Sequence, residues 1–143
     1  MLSIHIQKMG NTYFCILPSS EERKKMNVQE LSLIFAHRIV RLYQFLTEKK
    51  EFILSRQILR SGTSIGANIR EAQRAQSNAD FISKMKISLK EADETYYWLT
   101  LLRNNGYLPL ELADSLLDDN NRLIKLLVKI TSTALSTSKR KQP

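Results

Sequence analysis

The chain has few of the residues that make turns and cross-links. Among 143 residues there are four glycines, three prolines and one cysteine. So little glycine and proline argues against a turn-rich β-sandwich and favours long helices. The single cysteine, Cys15, excludes an internal disulfide framework and is typical of a reducing compartment. No apolar run reaches the roughly 18 residues of a membrane span, and the N-terminus lacks signal-peptide order. We therefore expect a soluble cytoplasmic protein of one domain that does not associate with membranes.

Residues that could carry catalysis are equally scarce. The two histidines, His5 and His37, do not belong to the Glu-x-x-His pairs of di-iron bundles. Lys86 and Lys90 precede Glu94 at helical spacing, which indicates a solvated, salt-bridged face and argues against a carboxylate metal site. The carboxylates considered for such a site are Glu91, Asp93, Glu94, Asp118 and Asp119. We predict that the protein is not an enzyme and holds no metal or cofactor.

Positive charge is in excess and unevenly distributed. The formal net charge is +8, from 22 Lys and Arg against 14 Asp and Glu. Residues 1–76 carry a net +6, residues 77–135 a net −1, and the last eight residues a net +3. Solubility alone does not require this concentration, so the distribution favours an anionic partner such as RNA or DNA.

Apolar residues recur every three or four positions through most of the chain, in four segments. The periodic segments are 28–46, 52–76, 81–99 and 116–134. Ser77 supplies N-cap chemistry before the third segment, and Gly106 with Pro109 ends it. Four helices with short connections predict an all-α fold, an up-down antiparallel four-helix bundle over residues 27–136.

The two ends of the chain fall outside this pattern. In residues 1–26, apolar positions at Leu2, Ile4 and Ile6 alternate with polar ones, and KMGN offers a turn before TYFCIL. Because two isolated strands are marginal in water, this extension either docks as a β-hairpin or is loosely ordered. Residues 137–143 are predicted to form a frayed basic C-terminal tail.

Two glycines interrupt the second helix at positions where alanine would be more stable. Each interior glycine costs about 0.5–1 kcal/mol relative to alanine. Gly62 lies on the apolar stripe with Ile65 and Ile69, and Gly66 lies on its flank. We interpret both as helix-packing residues that let a neighbouring backbone approach. Phosphate binding to bare backbone is the less favoured alternative, because mid-helix amides already bond within the helix.

Arginines form a line along the same helix. At about 100° per residue they share one side and span roughly 27 Å at 1.5 Å per residue. The line consists of Arg56, Arg60, Arg70 and Arg74. Arginine binds phosphate through a forked guanidinium, so we predict that these residues bind nucleic acid. The alternative is an ordinary solvated face, neutralised by Glu71 or by a neighbouring acidic helix.

The third and fourth helices carry more apolar residues than one core stripe needs. The surplus includes Trp98, Leu101, Ile124 and Val128. A monomer would expose them, whereas an oligomer would bury them. We predict an oligomer interface here, with a wider internal core as the alternative.

The segments SGTSIGANIREA and SNADFISKMKISLKEADETYYWLTLL closely resemble a known family. This is the four-helix-bundle family encoded by intervening sequences in bacterial large-subunit ribosomal RNA genes, and the likeness spans about residues 28–135. The resemblance implies a homopentamer with a positively charged surface. It also extends to the accessory variability determinants of diversity-generating retroelements, which implies nucleic acid and a reverse transcriptase as partners.

We therefore predict a non-enzymatic homo-oligomer that binds RNA or DNA mainly through phosphate, with little sequence specificity. The alternative is a protein–protein adaptor, for example an accessory to a reverse transcriptase, that does not bind nucleic acid directly.

Overall fold

The computed structural model describes residues 4–142, apart from the side chain of Tyr13. Leu2, which the alternating pattern includes, lies outside the described residues. The elements in chain order are β1 (His5–Met9), β2 (Thr12–Ile16), α1 (Ser20–Arg23), α2 (Val28–Glu48), α3 (Leu54–Ala72), α4 (Asn78–Asn104) and α5 (Leu110–Arg140). Helices α2 to α5 each pack against the next, and α5 returns to α2. The predicted all-α four-helix bundle is confirmed.

The start of α3 is capped by a residue outside the helix. Ile53, at the N-cap position, makes no side-chain cap bond. The carboxylate of Glu51 instead accepts hydrogen bonds from the backbone N–H groups of Ile53, Leu54 and Ser55 at 3.2, 2.9 and 2.7 Å. Burial raises the pKa of Glu51, but these N–H donors outweigh it and hold the pKa below its ordinary value. The helix therefore starts on a charged carboxylate at neutral pH.

Polar contacts inside the bundle fix how the helices align. The Ser88 hydroxyl of α4 donates to the Ile65 carbonyl of α3 at 2.8 Å. The Thr95 hydroxyl lies 2.9 Å from the Ser61 hydroxyl, further along α4 and further back along α3. The two helices therefore run in opposite directions, as an up-down bundle requires.

Both glycines of α3 lie against α2. A Cβ added to Gly62 would lie 2.8 Å from Ile39 Cγ1, and one added to Gly66 would lie 3.3 Å from the Ser32 carbonyl oxygen. The first distance is too short for any real Cβ, so Ile39 occupies the space that a side chain at position 62 would need. Close helix–helix contact therefore depends on glycine most strongly at position 62.

Two helix boundaries differ from the prediction. α3 ends at Ala72, and residues 73–75 continue in hydrogen bonds of the tighter i to i−3 type before Ser77 caps α4. α5 extends to Arg140, so much of the predicted tail is helical. No glycine or proline interrupts the sequence between Leu110 and Arg140, and basic residues in the last turn stabilise the negative end of the helix dipole.

The N-terminal extension is a β-hairpin anchored to the bundle. The two-residue turn between β1 and β2 begins with Gly10, whose φ of 62° suits glycine. At the end of α1, the buried Arg23 reaches α5, where its Nε donates to Asp119 Oδ2 at 2.8 Å. Arg38 Nη1 of α2 donates to the same oxygen at 2.6 Å. We call Arg23, Arg38 and Asp119 the anchor cluster, since it joins the extension to two helices.

β2 makes a second contact with the bundle. The Arg41 guanidinium of α2 donates to the Cys15 carbonyl. The Cys15 sulfur lies 3.5 Å from Nδ1 of His37, one helical turn before Arg41. These contacts lie along α2, so the hairpin is held against this helix and does not extend freely from the bundle.

Candidate nucleic-acid interface

The structure divides the predicted arginine line. Arg56, Arg60 and Arg70 are exposed on α3. Arg74 is also exposed, but it lies in the turn beyond Ala72 because α3 ends earlier than predicted. The four residues therefore do not form one continuous helical row.

Arg60 is engaged by an acidic neighbour. Its Nη1 lies 3.3 Å from Glu91 Oε2, and its Nη2 donates to Glu94, both on α4. The hydrogen bond to Glu94 raises the pKa of Arg60, and the same bond lowers the pKa of Glu94. This matches the solvated-face alternative at position 60. Arg60 could bind phosphate only by giving up these carboxylates, and its role in binding nucleic acid stays a prediction.

Three arginines of the set remain available. Within residues 4–142, Arg56, Arg70 and Arg74 make no ion pair with a carboxylate. Glu71, the expected local partner, instead binds Lys84 of α4 at 2.9 Å. These arginines therefore keep guanidinium donors free for an anion.

The bundle topology brings two basic segments to one end. Because consecutive helices alternate in direction, α3 and α5 both terminate at the end where α4 begins. The contact between Asn78, at the start of α4, and Ser138, near the end of α5, fixes this arrangement. We define the basic end as the exposed side chains located there: Arg70, Arg74, Lys139, Arg140 and Lys141. Arg56 lies near the opposite end of α3, about 21 Å from Arg70 at 1.5 Å per residue.

A groove runs between α2 and α3 beside Arg70, with a volume of about 400 Å³. Gly66 and Ala67 leave space on the α3 side, and Ser32 and Ala36 face them from α2. The complete lining of this α2–α3 groove is Gln29, Ser32, Leu33, Ala36, Thr63, Gly66, Ala67, Ile69 and Arg70. No pattern in the linear sequence links these two segments, so the groove was not predicted.

The predicted oligomer interface is only partly exposed. Trp98 and Ile124 pack against the hydrophobic core, and Leu101 is half-buried. Trp98 Nε1 also donates to Glu94 Oε1 at 3.3 Å, and its ring meets Tyr97 edge-on. Val128 is 47 % exposed. A wider core thus accounts for much of Trp98 and Ile124, whereas Val128 remains an unpaired apolar side chain on the surface.

The described part of the chain offers no centre for metal chemistry. Among residues 4–142, no three His, Cys, Asp or Glu side chains are grouped so that they could hold an ion. In the same residues, no helix is both long and apolar enough to cross a membrane.

Fold and surface together define a basic four-helix-bundle protein with a β-hairpin extension at its N-terminus. The chain belongs to the 23S rRNA-intervening sequence protein family, which matches residues 24–129. A crystal structure of a protein of unknown function from the S23 ribosomal protein family of Bacteroides thetaiotaomicron is 58 % identical, with a TM-score of 0.72. The alignment covers 73 % of this chain and 97 % of that one. A comparison with curated protein sequences gave no match. The family match includes Arg70 and Arg74 but not β1, β2 or Lys139–Lys141.

Proposed function

We propose that this protein is a non-enzymatic, cytoplasmic nucleic-acid-binding protein that contacts RNA or DNA through its basic end. The observation that carries the proposal is the meeting of Arg70 and Arg74 with Lys139–Lys141 at one end of the bundle. The two arginines make no ion pair with a described carboxylate, so binding a phosphate would not require breaking one. The family's association with ribosomal RNA genes supports RNA as one ligand.

Phosphate contacts would dominate such binding. Each guanidinium or ammonium that neutralises a phosphate releases a condensed counterion, so affinity falls steeply as salt rises. Phosphate is the same in every nucleotide, so these contacts carry little sequence information. The geometry therefore supports broad recognition of nucleic acid.

Charge reversal at Arg70 and Arg74 tests this proposal. The double variant Arg70→Glu/Arg74→Glu is expected to weaken duplex binding at least about tenfold at moderate salt. It should also make the negative slope of log affinity against log salt less steep by about 2, since each lost phosphate contact accounts for about 0.9. Fluorescence anisotropy over a salt series measures both quantities. The matched control is Lys86→Glu/Lys90→Glu, which makes the same charge change at exposed residues of α4.

An equal loss in both double variants would mean that total charge, and not the basic end, governs binding. Unchanged affinity in the arginine variant would contradict the proposed surface. Absence of binding by the unmodified protein at every salt concentration would exclude the function itself.

We further propose that the protein is a homo-oligomer, with five copies preferred from the family resemblance. Exposed Tyr96, Tyr97 and Val128 support an interface. They equally favour the second candidate function, an adaptor that binds a protein such as a reverse transcriptase. The salt series separates the two candidates, because an adaptor of this kind would show no affinity for nucleic acid.

A glutamate at Val128 is expected to dissociate the oligomer, because it would place a charge in an apolar interface. Light scattering should show a mass above 16.6 kDa for the unmodified protein and about 16.6 kDa for Val128→Glu. Val40→Glu is the matched control, since Val40 on α2 is similarly exposed, at 40 %. Monomeric unmodified protein would exclude the oligomer, and dissociation by the control alone would move the interface to α2.

A further inference from the structure

The α2–α3 groove lies next to a residue of the basic end. Arg70 lines the groove and is exposed, so its guanidinium can meet a bound phosphate at the rim. A nucleotide whose phosphate binds Arg70 would therefore hold its base beside the groove. The volume of about 400 Å³ falls within the roughly 300–1,000 Å³ typical of small-molecule sites.

The groove offers a planar heterocycle both apolar and polar contacts. Leu33 and Ala36 supply apolar surface, and Leu33 is 48 % exposed although it is large and apolar. Such surface can cover the face of a base. The missing side chain at Gly66 keeps the groove open towards Ser32.

Polar atoms on both walls match the edge of a base. The hydroxyl of Thr63, half-buried on α3, donates to the Leu59 carbonyl at 2.6 Å, which leaves its oxygen free to accept. The exposed side-chain amide of Gln29 makes no hydrogen bond to a described residue, and it has both a donor and an acceptor. Gln and Asn amides pair with base edges through this combination.

We propose that the α2–α3 groove receives one unpaired base of a strand whose phosphate is bound by Arg70, so that the protein selects single strands over duplexes. This inference rests on the proposed function. In a duplex each base is stacked and paired, and it could enter the groove only by leaving the helix. A single strand presents unstacked bases without that penalty.

Three DNA probes of equal length separate base contacts from phosphate contacts. They are a single strand, its duplex, and a single strand of abasic nucleotides, which keep the sugar and phosphate but lack the base. The intact single strand is expected to bind about tenfold more tightly than either of the others, comparable to the contribution of one bound base. The abasic strand keeps the phosphates, so its affinity reports the basic end alone.

Filling the groove should remove this preference. Ala67→Leu places a larger side chain at the exposed α3 wall, and both residues are strong helix formers. The affinity for the intact single strand should fall about tenfold, to that of the abasic strand. Ala79→Leu, an exposed alanine on α4 outside the groove, should have no effect. Leu33→Ala, which removes apolar surface from the opposite wall, should also reduce the preference.

The outcomes separate this inference from the proposed function. If all three probes bind equally and Arg70→Glu weakens them, the basic end binds phosphate but the groove binds no base. If the preference persists in Ala67→Leu and Leu33→Ala, bases are bound elsewhere and the groove assignment is wrong. If Ala67→Leu changes the oligomeric mass and not the preference, the groove holds another protein segment, which also overturns the inference. If the unmodified protein binds none of the three probes, the proposed function is wrong as well.

Discussion

Asp119→Ala is expected to lower the free energy of unfolding by about 3–5 kcal/mol, the range for removing one partner from a buried ion pair. Arg23 and Arg38 both donate to Asp119 Oδ2, and the three side chains are about one-tenth exposed. Burial lowers the pKa of Arg38, although the hydrogen bond that Arg38 donates to Asp119 opposes this effect. Without the carboxylate, two buried guanidiniums would face each other, and among the described residues their remaining hydrogen bonds go to Ser115 and the Pro18 carbonyl.

Urea denaturation followed by circular dichroism measures this loss. Asp118→Ala is the control, because Asp118 is adjacent, exposed and makes no ion pair among the described residues. Surface substitutions of this kind usually change stability by less than about 0.5 kcal/mol. Similar midpoints for the two variants would mean that the anchor cluster does not stabilise the fold.

Gly62→Leu is expected to lower the free energy of unfolding by at least about 1–3 kcal/mol, the range for overpacking, despite the better helix propensity of leucine. Its Cβ alone would lie 2.8 Å from Ile39, which is fully buried. α2 and α3 would have to separate, and apolar contacts between these two helices would be lost.

Gly66→Ala provides the graded comparison. There the added Cβ would lie 3.3 Å from the Ser32 carbonyl, a tight contact that a small shift relieves. We expect a smaller loss than for Gly62→Leu, measured as the shift in urea midpoint. Greater stability of Gly62→Leu than of the unmodified protein would show that α2 does not restrict position 62.

The spacing of apolar residues along the chain predicted the features that depend on neighbouring residues in the sequence. Apolar spacing located the four helices, because a helix places residues three and four apart on one face. It also placed Gly62 on the apolar stripe. The same spacing did not predict where α3 ends. Apolar residues can continue into a turn, and only the hydrogen bonds show the last residue of the helix.

Contacts between distant residues were not predictable in this way. The sequence could offer an acidic neighbouring helix for Arg60 only as an alternative, because Glu91 and Glu94 are more than 30 positions away and meet it only after α3 packs on α4. Arg23 and Asp119 are separated by 96 positions and lie in segments that the pattern treated as unrelated. The α2–α3 groove likewise exists only once two helices are paired. Helical periodicity describes one element, whereas these features need the relative placement of two.

The anchor cluster also has a consequence for chains of different length. The family match begins at residue 24, immediately after Arg23, and includes Arg38 and Asp119. A chain that started at residue 24 would keep Arg38 and Asp119 as one cation and one anion, whereas the chain described here has two cations against one anion. The Arg38–Asp119 pair inside the bundle therefore does not require the N-terminal extension, whereas the attachment of the extension requires Asp119. An N-terminal segment with a suitably placed arginine could thus be gained or lost without leaving a buried carboxylate unpaired.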